Sequence, residues 1–208
     1  MYIPSFTAVT DPAALHDLMR HWSFATLVTA HEGRPFATHL PFLFYPEDGE
    51  HGMLVAHMAR ANPQWRGFAD GNEALVIFQG PHTYISPSWY EEEVSVPTWN
   101  YAVAHAYGVP RVITETGRVR EALRALVDKH EEGFAEPWTM DLPEDYLQRQ
   151  LRAIVAFEMP ITRLEGKFKL SQNRSAGDQQ RVSDQLATCP DANAQAVQAM
   201  MQALARRE

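Results

Sequence analysis

The chain is poor in several residue types and patterns, and each shortage excludes something. Its 208 residues contain one cysteine, Cys189, so no internal disulfide framework can staple the fold. No apolar run reaches the ~20 residues needed to cross a bilayer, so no membrane association is expected. The opening stretch "MYIPSFTAVTDPAALHDLM" lacks a basic start, an apolar segment and a small-residue cleavage site. It therefore predicts no signal peptide and a cytoplasmic location. Basic charge is in the minority, 18 Lys and Arg against 26 Asp and Glu, for a formal net charge of −8. DNA binding draws on basic patches that replace counterions on phosphate, so this balance disfavours direct DNA contact. The nearest candidate patch, "RVITETGRVREALR" with Arg111, Arg118, Arg120 and Arg124, is interleaved with acids and reads as a solvated helix face.

Chemical signatures are equally sparse. The nine histidines show neither H-x-H nor H-E-x-x-H spacing, and no cysteine cluster supports them, so no protein-held metal is expected. "SPS" and "LSQ" are not nucleophile elbows, and Cys189 precedes Pro190 in a polar stretch. No glycine-rich dinucleotide fingerprint or phosphate-binding loop is present. No catalytic residue can be assigned on these grounds.

What the chain does have is a series of short apolar runs separated by turn residues. "FATLVTA" (24–30), "FATHLPFLFY" (36–45), "MLVAHMA" (53–59), "EALVIFQG" (73–80), a run beginning at "TYISPSWY", and "AVAHAYGVPRVI" (102–113) read as strands. Their close spacing predicts a meandering antiparallel sheet closed as a barrel. "AIVAFEMPITRLEG" (153–166) adds a late strand-like centre. Helices are expected over Asp11–Trp22, with Asp11 as cap and Pro12 in the first turn, and over about Gly117–Glu132. Others are expected over 143–151 and in the Ala-rich tail ending at Glu208. "NPQWRGF" (62–68) reads as a short helix capped by Asn62, with Pro63 at its first position. The expected organisation is one domain over 1–190 with its own helical tail at 191–208.

The unusual concentration lies between His82 and Gly108, where "HTYISPSWY" and "VPTWNYAVAHAYG" gather Tyr84, Trp89, Tyr90, Trp99, Tyr101 and Tyr107. Flat rings with polar tips suit a pocket for a planar ligand, and they equally suit an obligate dimer interface. "HMARANPQW" places Arg60 beside a helix start, a ready anion site, although a capped connector with a surface arginine reads the same way. "EGKFKLSQNRS" offers Lys167, Lys169, Ser171, Gln172, Asn173 and Arg174 as donors, or simply a solvated loop before the tail helix.

In this order, "MYIPSF", "FATLVTA", "THLPFLF", "HMARANPQW", "VIFQGPHTYISPSWY", "VPTWNYAVAHAYG", "KHEEGFAEPW" and "GKFKLSQNRS" resemble the PaiB-type FMN-binding negative transcriptional regulators, from Met1 to about Leu186. The resemblance implies an α+β, mainly antiparallel fold: an FMN-binding split barrel with peripheral helices and a C-terminal helix. It further implies a homodimer with FMN at the dimer interface. Phosphate contacts would come from His57, Arg60, Asn62 and Gln64, and Thr38, His39 and Leu40 would border the ring system. Trp99 and Asn100 would reach in from the partner chain, with Lys167 and Gln172 nearby. His39 and His57 are expected only as polar neighbours of the cofactor. One arginine stands here where many oxidase relatives use several basic residues. Two functions follow: a flavin-binding regulator acting on transcription indirectly or with a partner, or an FMN-dependent oxidoreductase of the flavin-reductase or pyridoxamine-phosphate-oxidase type.

Overall fold

The computed structural model describes residues 1–91 and 94–206. Eight antiparallel strands dominate it: β1 (Phe24–His31), β2 (Arg34–Pro41), β3 (Leu43–Tyr45), β4 (Met53–Ala59), β5 (Ala74–Ile85), β6 (Thr98–Gly108), β7 (Arg111–Val112) and β8 (Ile154–Lys169). They run in the order β2-β1-β5-β6-β8-β4-β3, with β7 beside β8. The path has two ends, β2 and β3, so the ladder is open where a closed one was expected. Five α-helices accompany it among the described residues: α1 (Pro12–His21), α2 (Thr116–Glu131), α3 (Glu144–Arg152), α4 (Ala176–Ala187) and α5 (Ala192–Ala205).

Local chemistry accounts for most boundaries. Asp11 caps α1 by accepting the Ala13 amide at 3.0 Å, and Pro12 fills the first helical position. The expected single strand over 36–45 is broken at Phe42, whose amide turns to the Ser23 carbonyl at 2.9 Å while its ring is fully buried. β2 thus pairs with β1, and β3 pairs with β4. β5 continues through Ile85, so "TYI" ends one strand and does not begin another; "PSW" then forms a 3-10 turn capped by Ser86. α4 was not expected, because its sequence "AGDQQRVSDQLA" is polar. Its start is nevertheless marked by Ser175, which accepts the Asp178 amide at 3.1 Å. The expected tail helix is α5; Arg207 and Glu208 lie outside the described residues.

Backbone contacts divide the chain into two compact units. The larger comprises Met19–Phe78 and His105–Leu164. Its centre is aromatic: Phe42 meets Phe78 at 5.9 Å and Phe157 at 6.1 Å, and Phe68 meets Phe157 at 5.1 Å. α2 covers a second cluster of Leu43, Val55, Ile113, Leu126 and Ala156. Gly108 is required where it stands, because a Cβ there would lie 2.2 Å from the Pro160 carbonyl oxygen.

The smaller unit comprises Met1–Leu18, Gln79–Ala104 and Glu165–Glu208. There α4 and α5 pack on Ile85, Tyr90 and Leu170 through Val182, Leu186, Val197 and Met201. Four or more buried aliphatic side chains, at about 1.5–3 kcal/mol each, give the tail a core of its own.

Candidate flavin site

In the larger unit, β2 and the segment after β4 are tied together. β1 and β2 pair with Leu27 opposite Thr38 and Thr26 opposite His39. The Thr26 hydroxyl and His39 Nδ1 share a hydrogen bond of 2.9 Å, and the His39 ring stacks on Phe24 at 6.4 Å. β4 ends at Ala59, the chain turns, and a 3-10 helix runs over Pro63–Asp70. Asn62 is its cap: its Oδ1 accepts the Gln64 amide at 3.0 Å, and its Nδ2 donates to the Thr38 hydroxyl at 3.0 Å. One side chain therefore caps a helix and fastens it to a strand.

Gln64 extends the tie. Its Nε2 donates to the carbonyls of Leu27 and Phe36 at 3.3 and 3.2 Å, and to the Thr29 hydroxyl at 3.1 Å. Its Oε1 is buried and has no hydrogen-bond partner among the described residues. Gln64 also lines a cavity of about 290 Å³ with Thr29, Phe36, Pro63, Arg66 and Phe68. His57, on β4 opposite Ala156, likewise has a buried Nδ1 without a partner, and burial pushes its pKa below the usual histidine value. Its ring is therefore neutral at pH 7.

Arg60 braces the turn it stands on. Its Nε donates to the Arg152 carbonyl at 2.8 Å and its Nη2 to the Ile154 carbonyl at 2.7 Å, which satisfies one carbonyl at the end of α3 and one at the start of β8. Its backbone amide bonds the Ala153 carbonyl at 2.8 Å, and its guanidinium lies 5.9 Å from the Trp65 ring. Thr38, Asn62 and Gln64 are thus brought together directly. His39 and Leu40 follow on the same strand, the first exposed and the second buried.

The remaining expected residues fall in the smaller unit. Trp99 is 52% exposed and packs against His82 at 6.2 Å and Tyr84 at 6.1 Å. Asn100 beside it is fully buried: its Nδ2 donates to the Ser171 hydroxyl at 2.9 Å, with the Met201 sulfur at 3.7 Å. Gln172 closes a local turn by accepting the Leu170 amide at 2.6 Å and donating to the Phe168 carbonyl. Lys167 is buried, donates to the Tyr2 carbonyl at 3.3 Å, and lies 5.4 Å from the Tyr101 ring centre. Lys169 donates to the Thr98 hydroxyl and the Trp99 carbonyl. Burial, and then the charges of Lys167 and Arg174, lower its pKa. Thr26 and Thr29 were not singled out from sequence; strand alternation beside an already chosen residue is the signal that would have found them.

The family described as "Putative FMN-binding domain" matches residues 1–163. The chain belongs to this FMN-binding family. "Protease synthase and sporulation protein PAI 2" of Bacillus subtilis is 38% identical over 203 residues, 97% of each chain. Protein AN0679 of Emericella nidulans is 32% identical over 223 residues, 88% of each chain. Among solved structures, the FAD and heme binding protein of Mycobacterium smegmatis has a TM-score of 0.60 at 21% identity, covering 83% of this chain and 78% of its own. The flavocytochrome Anf3 of Azotobacter vinelandii has a TM-score of 0.57 at 14% identity, covering 80% and 72%. The fold is thus the split-barrel architecture, and FMN is the cofactor of this domain. Among the described residues, no helix is long and apolar enough to cross a membrane.

Proposed function

We propose that this FMN-binding protein holds the flavin along β2, with Thr38, His39 and Leu40 at the ring system and the capped start of the 3-10 helix at the phosphate. The observation that carries this reading is the Thr38–Asn62–Gln64 network, which fixes an exposed strand against a helix start, the backbone feature best suited to an anion. The unpartnered Gln64 Oε1 leaves buried polar capacity within it. Arg60 enters as the brace of the turn that presents Asn62, and His57 as a neutral neighbour. Bound FMN supplies one- and two-electron chemistry, and the protein supplies orientation and electrostatics.

The second half of the reading is a homodimer with a shared site. Phe24 is 67% exposed, Phe36 is 40% exposed and Trp99 is 52% exposed, large apolar surfaces that a partner subunit would cover. Trp99 would supply an apolar wall to the partner's flavin, supported from behind by buried Asn100 and by the Gln172 turn, with Lys167 as the nearby cation. The Bacillus relative's name refers to protease synthesis and sporulation, and the family resemblance is to negative regulators. An indirect or partner-dependent effect on transcription is favoured here. Arg118 and Arg120 are paired with Glu158 and Glu144, which offsets their charge.

Titration of the protein with FMN, followed by flavin fluorescence and a visible spectrum, tests the site: Asn62→Ala must weaken binding. Retained affinity in Asn62→Ala moves the cofactor off β2. Steady consumption of NAD(P)H by the loaded protein would replace the regulatory reading with an oxidoreductase one, and a salt-sensitive gel shift would show direct DNA contact.

A further inference from the structure

The larger unit has a second cavity, of about 340 Å³, among β7, the start of α2, the end of α3 and the start of β8. Its walls are mixed: Val112, Ile113, Val119, Leu151 and Val155 supply the apolar part, and Arg60, Arg152, Thr114, Thr116 and Gln148 the polar part. Two guanidinium groups line it and no carboxylate does, in a chain that carries eight more acidic than basic side chains. Two carboxylates on the neighbouring elements are engaged: Glu158 pairs with Arg118 at 2.6 Å and Glu144 pairs with Arg120. Among the described residues, the Arg152 side chain has no hydrogen-bond or ion-pair partner. Arg60 is held rigidly by its Nε and Nη2 bonds to the Arg152 and Ile154 carbonyls, which leaves its Nη1 donors.

We infer that this cavity binds a small organic anion, its carboxylate or phosphate head at Arg152 and the Nη1 edge of Arg60, its apolar body against Ile113, Val119 and Leu151. The arginine fork suits either planar head, and charge-assisted bonds are the strong ones. Fixing Arg60 beforehand lowers the ordering cost of binding. A cavity of this size, at the small end of ligand pockets, takes a single ring or a short branched chain. The site is separate from the flavin reading: it shares Arg60 with the turn before Asn62, and uses neither Thr38 nor Gln64.

Calorimetric titration of the full chain with benzoate, and separately with inorganic phosphate, tests the inference. Benzoate should bind more tightly than phosphate, which leaves the apolar wall unused. Arg152→Gln should weaken benzoate by about tenfold, the loss of one charge-assisted contact. Because Arg152 is exposed, the variant should keep its melting temperature and its FMN affinity. Thr116→Val should weaken the probe less. Equal benzoate affinity in Arg152→Gln and the parent overturns the inference, as does failure of benzoate to bind at all. Displacement of benzoate by FMN, or loss of FMN affinity in Arg152→Gln, would also overturn it, by making the cavity part of the flavin site.

Discussion

Asn62 reaches across from the turn after β4 and donates its side-chain amide to the Thr38 hydroxyl at 3.0 Å, while its carbonyl oxygen caps the helix that follows. Twenty-four residues separate the two partners, and the bond sets where the helix start lies on β2. Asn62→Ala removes both bonds. It should cost about 1–2 kcal/mol in urea unfolding. Asn62→Asp keeps the cap and loses the donor to Thr38, so it should recover part of the stability and little of the FMN affinity. If Asn62→Asp binds FMN like the parent, the Thr38 tie does not shape the site.

Gln64 offers a sharper contrast. Its amide nitrogen faces three oxygens, those of Leu27, Thr29 and Phe36. Gln64→Glu would set a buried carboxylate against all three and should destabilise by about 3 kcal/mol or more at pH 7. Because protonation relieves the repulsion, the deficit should shrink as pH falls toward 5. A pH-independent deficit, read from urea midpoints, would show that the site rearranges instead.

Much of this frame was legible in the sequence, because its signals are local. Asp11 and Pro12 announced α1, Asn62 and Pro63 announced the 3-10 helix, and the apolar spacing of 119–130 announced α2. The misreadings came from tertiary effects. Phe42 looks like the middle of a strand by composition, but its burial and its bond to Ser23 break the run. α4 is polar along most of its length and owes its place to Val182 and Leu186 packing on the tail cluster. Its Ser175 cap was the legible sign. Within the candidate site, the residue types at Thr38, Asn62 and Gln64 were readable, and their mutual bonds were not. Arg60 reads as a phosphate contact from its position before a helix; its bonds to the Arg152 and Ile154 carbonyls, about 90 residues further on, were not legible.

His57 should make stability pH-dependent. Burial lowers its pKa in the folded state below that of the unfolded chain, about 6.5. The unfolded state therefore takes up the proton first, and stability rises with pH across that interval. Stability is complete above the unfolded value and is lost as pH falls below it toward the folded pKa. Urea midpoints between pH 5 and 8 should show this decline, and His57→Gln should flatten it. An unchanged slope in His57→Gln would assign the effect to another group.

Gly108→Ala tests the close approach of β6 to β8. The new Cβ would meet a backbone oxygen at 2.2 Å, with the Met159 side chain at 3.0 Å, so the strands must separate. The expected cost is about 2–3 kcal/mol, typical of overpacking. A neutral result by thermal unfolding would show that the end of β6 yields freely.

Trp99→Ala decides what the aromatic cluster is for. Within its own unit Trp99 leans on His82 and Tyr84 and leaves half its surface open, while Asn100 and Lys169 hold the strand that carries it. Truncating a half-exposed ring should change the stability of the isolated fold little, because most of its surface is already in water. If Trp99 walls a partner's flavin, the variant should lose FMN affinity and dimer stability together. FMN should then raise dimer stability in the parent by mass action and do so less in the variant. Sedimentation with and without FMN, beside a fluorescence titration, separates the outcomes. Loss of dimer stability with unchanged FMN affinity would make the cluster an interface alone. Loss of FMN affinity in a protein that stays monomeric throughout would place the ring at its own subunit's cofactor.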